Sequence, residues 1–181
     1  MKIIGVTYGE RKSLILKGDS ALLVNRKPFF IPDEVNELEA YPALALRVCR
    51  LGKTVAPRYA NRYFDAYAPA LDIQAADLRA QALANGEPWT TAISLDGSFP
   101  LGEWKEQMIE SPNLHLNGQT YEATDAQIAE AVSLASRFMT IRQGDVIYVQ
   151  LTDQPLTLKQ NDCITACLND EEKESLFCRI K

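Results

Sequence analysis

The sequence has little of several residue types, and each shortage excludes a class of protein. Its 181 residues include one His and four Cys, without the paired spacing that a structural zinc site requires. No apolar run approaches the roughly 20 residues that span a bilayer, so we expect no membrane segment. Basic residues are not in excess, with Lys+Arg 19 against Asp+Glu 24 and a formal net charge of −5. We therefore expect no nucleic-acid partner.

The remaining composition is that of a globular protein. Hydrophobic residues make up 46% of the chain and charged residues 24%, which is enough apolar material for a sizeable core. The first residues, MKIIGVTYGERK, become polar too soon for a signal-peptide core. We therefore expect a cytoplasmic protein with reduced cysteines.

Local patterns predict strands, two adjacent helices, more strands, a helix and strands again. Alternating apolar residues predict a strand over residues 42–52. Helices are predicted over residues 59–67, 75–84 and 125–139, the last with a capping box formed by Thr124 and Gln127. The Asn117-Gly118 pair predicts a hairpin. The fold class is therefore α+β with β predominant.

Six segments, taken in order, resemble the fumarylacetoacetate hydrolase family of carbon–carbon hydrolases, acylpyruvases, decarboxylases and enol–keto isomerases. The resemblance implies a mixed β-sandwich roll with peripheral helices, a homodimer, and a pocket that binds one Mg²⁺ or Mn²⁺. We expect a truncated, divergent member with one domain over residues 1–181, in which residues 1–40 are divergent strands and 41–181 the family-like core. The segments are LGK (51–53), ALDIQAADLR (70–79), NGEPWTTAIS (85–94), FPLGEW (99–104), NLHLNGQTYE (113–122) and MTIRQGDVIYV (139–149).

The resemblance also implies a metal site that this sequence lacks. Two acids, two residues apart on the strand before the Gly-Lys pair, and a later Asp hold the metal in the family. Counting back from Gly52 puts Leu44 and Leu46 at the two acidic positions, whereas Asp72 is retained. Leucine offers no oxygen to a hard cation, so we expect no metal cofactor. The family's pocket lysine is replaced by Ile93.

Two further departures concern loops. The loop over residues 7–13 lacks the His-Glu pair with which the family activates water. The family's Thr-Gly-Thr-Pro loop, which positions substrate, reads Thr152, Asp153, Gln154 and Pro155 here. These departures favour a degenerate active site, in effect a pseudoenzyme, with a binding or structural role.

Two alternatives remain open. The first is an active hydrolase, isomerase or decarboxylase of small 2-oxo or diketo acids. It would use a rebuilt, metal-independent site around Asp72, Gln74, Thr90 and Thr91. New sites do arise on old folds. The second alternative is a subunit that pairs with an intact paralogue.

Two smaller hypotheses concern single charged groups. Asp72 precedes a predicted helix, where an Asp commonly caps the exposed amides. A small carboxylate ligand is a further expected partner, held by the basic residues Arg47, Arg50 and Lys53 beside the predicted strand.

Overall fold

Strands predominate in the computed structural model, which describes residues 1–8, 12–106, 111–169 and 174–181. This architecture confirms the predicted β-predominant fold class. Part of the loop over residues 7–13 lies outside the described residues. The strands are β1 (Ile3–Tyr8), β2 (Lys12–Lys17), β3 (Leu22–Val24), β4 (Pro28–Phe29), β5 (Leu38–Val48), β6 (Phe64–Ala75), β7 (Phe99–Leu101), β8 (Asn113–Leu116), β9 (Gln119–Glu122), β10 (Val146–Gln150), β11 (Leu156–Leu158), β12 (Cys163–Leu168) and β13 (Leu176–Ile180).

Within the described residues these strands form two sheets. The larger sheet has eight strands in the order β2-β1-β10-β5-β6-β7-β3, and β11 pairs with the free part of β5. The smaller sheet has five strands in the order β4-β13-β12-β8-β9. The main hydrophobic core includes apolar side chains of both sheets and of the long third helix.

The long pair β5 and β6 is the centre of the larger sheet. The two strands are antiparallel, and Tyr41 lies opposite Asp72 while Leu44 lies opposite Pro69. Side chains of directly opposed residues point to the same face, and neighbours along a strand point to opposite faces. The register therefore decides which residues of β5 share a face with Asp72.

Three α-helices lie in the described residues: α1 (Ala76–Asn85), α2 (Thr90–Ile93) and α3 (Asp125–Phe138). The predicted helix over residues 75–84 is confirmed, and it ends at Gly86 with a left-handed φ of 69°. The capping box that opens α3 is also confirmed, because both reciprocal hydrogen bonds form.

The predicted helix over residues 59–67 is wrong. A short 3-10 helix covers Pro57–Arg62, and β6 begins at Phe64. Strand pairing with β5 buries nearly all of β6, and this burial outweighs the helix-like spacing of the tyrosines.

Two other sequence expectations can be compared with the structure. The Asn117-Gly118 hairpin is confirmed, with φ of 47° and 83° at these residues between β8 and β9. None of the four cysteines, all of which lie in the described residues, forms a disulfide. None of the described helices is long and apolar enough to cross a membrane.

Candidate active site

A buried ion pair lies behind the candidate site. Lys17, the last residue of β2, places its ammonium nitrogen 2.8 Å from Oδ1 of Asp72 on β6, and both side chains are fully buried. The ammonium also donates to the carbonyl oxygen of Ile73 at 3.0 Å, to Oγ of Ser98 at 3.1 Å and to the carbonyl oxygen of Ile93. Four oxygen atoms therefore surround the Lys17 ammonium in the protein interior.

The second oxygen of the Asp72 carboxylate is also occupied. Oδ2 accepts hydrogen bonds of 2.8 Å from the Tyr148 hydroxyl and from Nε2 of Gln74. Burial lowers the pKa of Lys17, and the neighbouring Asp72 carboxylate opposes this shift. Burial and the same carboxylate raise the pKa of Tyr148 well above its usual value. Tyr148 therefore stays protonated and holds Asp72 as a donor.

The Gln74 side chain connects this buried pair to a half-buried arginine. Its Oε1 accepts from Nη1 of Arg79 on α1, while Nη2 of Arg79 donates to Oε2 of Glu39 at 2.8 Å. The Tyr41 hydroxyl donates to the same Glu39 oxygen at 3.1 Å. A continuous network of hydrogen bonds and ion pairs thus connects Lys17 to Glu39.

The pKa values in this network follow from burial and from the partners. Burial raises the pKa of Tyr41, although Arg79 acts against the shift. Burial alone would lower the pKa of Arg79, but Tyr41 and Glu39 outweigh it and raise the pKa overall. At neutral pH the site therefore holds a protonated tyrosine and a cationic guanidinium.

A cavity of about 290 Å³ opens beside this network. A space of this size suits a small organic acid. Polar groups from β5, β6, α1 and the segment after β10 meet apolar side chains from β2 and α2. Its lining includes Tyr41, Gln74, Arg79, Gln150, Asp153 and Ile93.

The structure brings some of the predicted site residues together and separates others. Gln74 and Ile93 line the cavity, and Asp72 lies directly behind Gln74. Thr90 and Thr91 do not line it; both are exposed on α2. The four-residue helix thus places both threonines at the surface and outside the cavity lining, and their catalytic role stays a prediction.

Leu44 and Leu46 are not pocket residues. Both lie on the face of β5 opposite to that of Asp72, where they are fully buried in the main hydrophobic core. The predicted register was wrong because it was counted back from Gly52, whereas the pairing of β5 with β6 decides which residues face Asp72. Tyr41 lies directly opposite Asp72, and Glu39, Ala43 and Ala45 share the same face of β5.

The residues around the cavity do not fit a hard divalent cation. Neither Tyr41 nor Ala43 supplies a carboxylate, and Asp72 is neutralised by Lys17. The Glu39 carboxylate is likewise paired with Arg79. Among the described residues, no three acidic, His or Cys side chains converge on one point. A divalent metal would have to displace an ion pair to gain either the Asp72 or the Glu39 carboxylate.

Two other hypotheses are corrected by the structure. Asp72 lies within β6 and does not cap a helix; α1 follows Ala75 without a side-chain cap. Arg47 is paired with Asp65 and Glu106.

The other two basic residues of the predicted anion site also lie away from the cavity lining. Lys53 donates to the carbonyl oxygen of Arg137 at 3.2 Å, and Arg50 is exposed. These residues therefore form no carboxylate site at the cavity.

Sequence reasoning missed Lys17, Glu39, Tyr41 and Arg79 as site residues. The sequence signal for Lys17 was a charged residue at the end of an apolar strand that contains two leucines and an isoleucine. Its partner Asp72 is distant in sequence, and spacing alone does not connect such residues.

Comparisons with known proteins agree with this fold. The family described as Fumarylacetoacetate (FAA) hydrolase C-terminal matches residues 7–170. Oxaloacetate tautomerase FAHD1, mitochondrial, of Arabidopsis thaliana is 30% identical over 176 residues, covering 91% of this chain and 79% of that protein. Oxaloacetate tautomerase YcgM of Escherichia coli (strain K12) is 25% identical over 177 residues, covering 91% of this chain and 81% of its own.

A solved structure supports the same conclusion about the fold. The fumarylpyruvate hydrolase from Pseudomonas aeruginosa, in complex with Mn²⁺ and pyruvate, superposes with a TM-score of 0.83 at 18% identity. The match covers 99% of this chain and 89% of that chain. At this identity the likeness concerns the fold alone.

Proposed function

Because this chain belongs to the fumarylacetoacetate hydrolase family, we propose that it is an enzyme that interconverts the enol and keto forms of a small 2-oxo acid. Two relatives named above are oxaloacetate tautomerases. The observation that carries the proposal is the cavity of about 290 Å³ in which Arg79, Gln74 and Tyr41 meet. These residues supply an anion-binding cation, an amide and a protonated hydroxyl.

Arg79 binds the substrate carboxylate in this proposal. A guanidinium has five N–H donors in a planar fork that matches a carboxylate. Gln74, Glu39 and Tyr41 engage only the two terminal nitrogens. Both terminal nitrogens also contact the Tyr41 hydroxyl, so the Nε–H of Arg79 is the donor left for a ligand, and the existing contacts hold the guanidinium in place before the ligand arrives.

Tyr41 acts at the 2-oxo oxygen. In the enol-to-keto direction the enol O–H proton leaves and C3 gains a proton, so the reaction needs no net proton. The Tyr41 hydroxyl donates to Glu39 and can accept from the enol, which gives the departing proton a path to a carboxylate. C3 takes its proton from water, and the hydroxide that remains takes up the proton that the enol released, so the reaction balances.

No step in this proposal passes through a metal. The Asp72 carboxylate, paired with Lys17 and bonded to Gln74 and Tyr148, orients Gln74 instead. Gln74 in turn orients Arg79. Asp72 is thus a positioning residue and does not itself touch the substrate.

The decay of enol absorbance tests this proposal. The enol form of oxaloacetate or of another 2-oxo acid is added to the purified protein, and ketonisation should exceed the uncatalysed rate. Arg79→Met and Tyr41→Phe should each lower kcat/KM by about tenfold or more. The first variant loses a charge-assisted contact to the substrate carboxylate, and the second loses the proton path. Arg50→Met, at an exposed position outside the cavity, is the matched control and should retain full activity.

Two results would contradict the proposal. A folded protein that does not accelerate ketonisation of any 2-oxo acid tested has no tautomerase activity. Turnover that survives both Arg79→Met and Tyr41→Phe would place the reaction outside this cavity.

A further inference from the structure

The segment between β10 and β11 crosses one end of the cavity. β10 ends at Gln150, which lies opposite Ala43 of β5, and β11 begins at Leu156, opposite Ala40 of the same strand. The five residues between them therefore run beside the edge of β5 at Tyr41 and Pro42. This segment contains the Thr-Asp-Gln-Pro sequence that departs from the family pattern.

Hydrogen bonds hold the backbone of this segment. Leu151 N donates to the carbonyl oxygen of Pro42 at 2.9 Å. Nε2 of Gln150 donates to the carbonyl oxygen of Thr152 at 2.6 Å, and Gln154 N donates to Oγ1 of Thr152 at 3.1 Å. Asp153 lies between these anchored residues, is exposed to solvent and belongs to the cavity lining.

The charges around the cavity do not balance. Among the described lining residues, Arg79 is the cation and Asp153 is the acid. The charge of Arg79 is already matched by Glu39 at 2.8 Å, and Lys17 behind the cavity is matched by Asp72. Within the described part of the chain, no donor or cation contacts the Asp153 carboxylate. Among the described residues, one negative charge is therefore left uncompensated at the cavity.

We propose that Asp153 selects 2-oxo acids that carry a single carboxylate and an uncharged, hydrogen-bond-donating distal group, and that it rejects dicarboxylates. The inference rests on the proposed function, in which Arg79 takes the carboxylate next to the 2-oxo group. A second carboxylate at the distal end would then enter a cavity that already holds an unpaired carboxylate, and like charges repel. An amide in its place donates a hydrogen bond to Asp153.

A pair of isosteric ligands tests the selection. Oxaloacetate and 2-oxosuccinamate differ only in whether the distal group is a carboxylate or an amide. Binding of each is measured by isothermal titration calorimetry, and turnover by enol absorbance. The protein should favour 2-oxosuccinamate by about tenfold in Kd and kcat/KM, and Asp153→Asn should reduce or reverse this ratio.

The matched control is Asp33→Asn, which makes the same change in net charge at an exposed position outside the cavity lining. Its ratio should equal that of the unmodified protein. The preference for the amide should be smaller at high salt than at low salt, because salt screens the repulsion between the two carboxylates.

The outcomes separate this inference from the proposed function. If binding favours the amide and Asp153→Asn removes the preference, the selection stands even when neither compound turns over. Equal or tighter binding of oxaloacetate, or a ratio that Asp153→Asn and Asp33→Asn alter equally, would overturn it. Failure of both ligands to bind would overturn the selection, whereas the proposed function fails only if no 2-oxo acid is ketonised.

Discussion

The ammonium of Lys17 lies 2.8 Å from the carboxylate of Asp72, and no part of either side chain reaches solvent. Removal of two charges from water costs several kcal/mol each, and their mutual attraction offsets this cost only when geometry and hydrogen bonding are good. Here the carboxylate has two further donors and the ammonium three further acceptors. Each charge therefore depends on the other.

Replacement of Lys17 alone should be strongly destabilising. Lys17→Met leaves Asp72 as an unpaired buried charge and should lower the free energy of unfolding by about 3–5 kcal/mol at pH 7, measured by urea denaturation. The double variant Lys17→Met with Asp72→Asn should recover part of this loss, because it removes the orphaned charge.

An exposed ion pair is the control for this experiment. Lys12 pairs with Glu130 at the surface, and Lys12→Met should change the free energy of unfolding by less than about 1 kcal/mol. Equal effects of Lys17→Met and Lys12→Met would show that the buried pair does not stabilise the fold.

Features that depend on neighbouring residues could be predicted from the sequence. The Asn117-Gly118 turn and the Thr124 capping box are each complete within a few residues, and both are confirmed. The alternating pattern of β5 also predicts a strand. It cannot say which of the two faces meets Asp72, because that depends on the register with β6.

Contacts between distant residues could not be predicted in this way. Lys17 lies on β2 and Asp72 on β6, and three strands lie between these two in the order of the larger sheet. No local sequence pattern connects the two residues. The Glu39–Arg79 pair joins the start of β5 to α1 across 40 positions. Such pairs depend on how the whole chain folds, and the site consists largely of them.

Gly5 on β1 provides a test of close packing beside the site. A Cβ at this position would lie 2.1 Å from Cζ of Tyr148, far inside van der Waals contact. Gly5→Ala should displace the Tyr148 ring, weaken its bond to Asp72 and lower the free energy of unfolding by about 1–3 kcal/mol in urea. Gly18→Ala is the control, because its nearest neighbour is 3.9 Å away and its φ of −69° suits alanine. A variant Gly5→Ala as stable as Gly18→Ala would contradict this packing.

The activity should be insensitive to chelators. Asp72 and Glu39 are each paired with a basic side chain, so the cavity offers no free carboxylate pair to a divalent ion. Treatment with EDTA should leave kcat/KM for ketonisation unchanged, and elemental analysis should find no stoichiometric Mg²⁺ or Mn²⁺. One tightly held ion per chain, with activity lost on its removal and regained on its return, would refute this prediction.

Asp145 provides a test of pH dependence away from the site. Its carboxylate is nearly buried and accepts backbone hydrogen bonds of 2.9 Å from Lys2 N and Arg142 N, together with the Lys2 ammonium. Burial alone would raise the pKa of Asp145, but the Lys2 and Arg142 contacts outweigh it and lower the pKa overall. The folded protein therefore favours the charged carboxylate more than the unfolded chain does.

The sign of the pH effect follows from this shift. Since the pKa of Asp145 is lower in the folded state, its contribution to stability is complete above the unfolded value of about 3.9 and disappears as the pH falls through the folded value. Asp145→Asn should lower the free energy of unfolding at pH 7 by about 1–3 kcal/mol, the range for hydrogen bonds to a charged group. The difference from the unmodified protein should shrink as the pH falls from about 5 to 2, measured by urea denaturation at each pH, whereas exposed Asp33→Asn should show little difference throughout. If the loss of unfolding free energy in Asp145→Asn stays constant over this range, the charge of the carboxylate does not stabilise the folded protein.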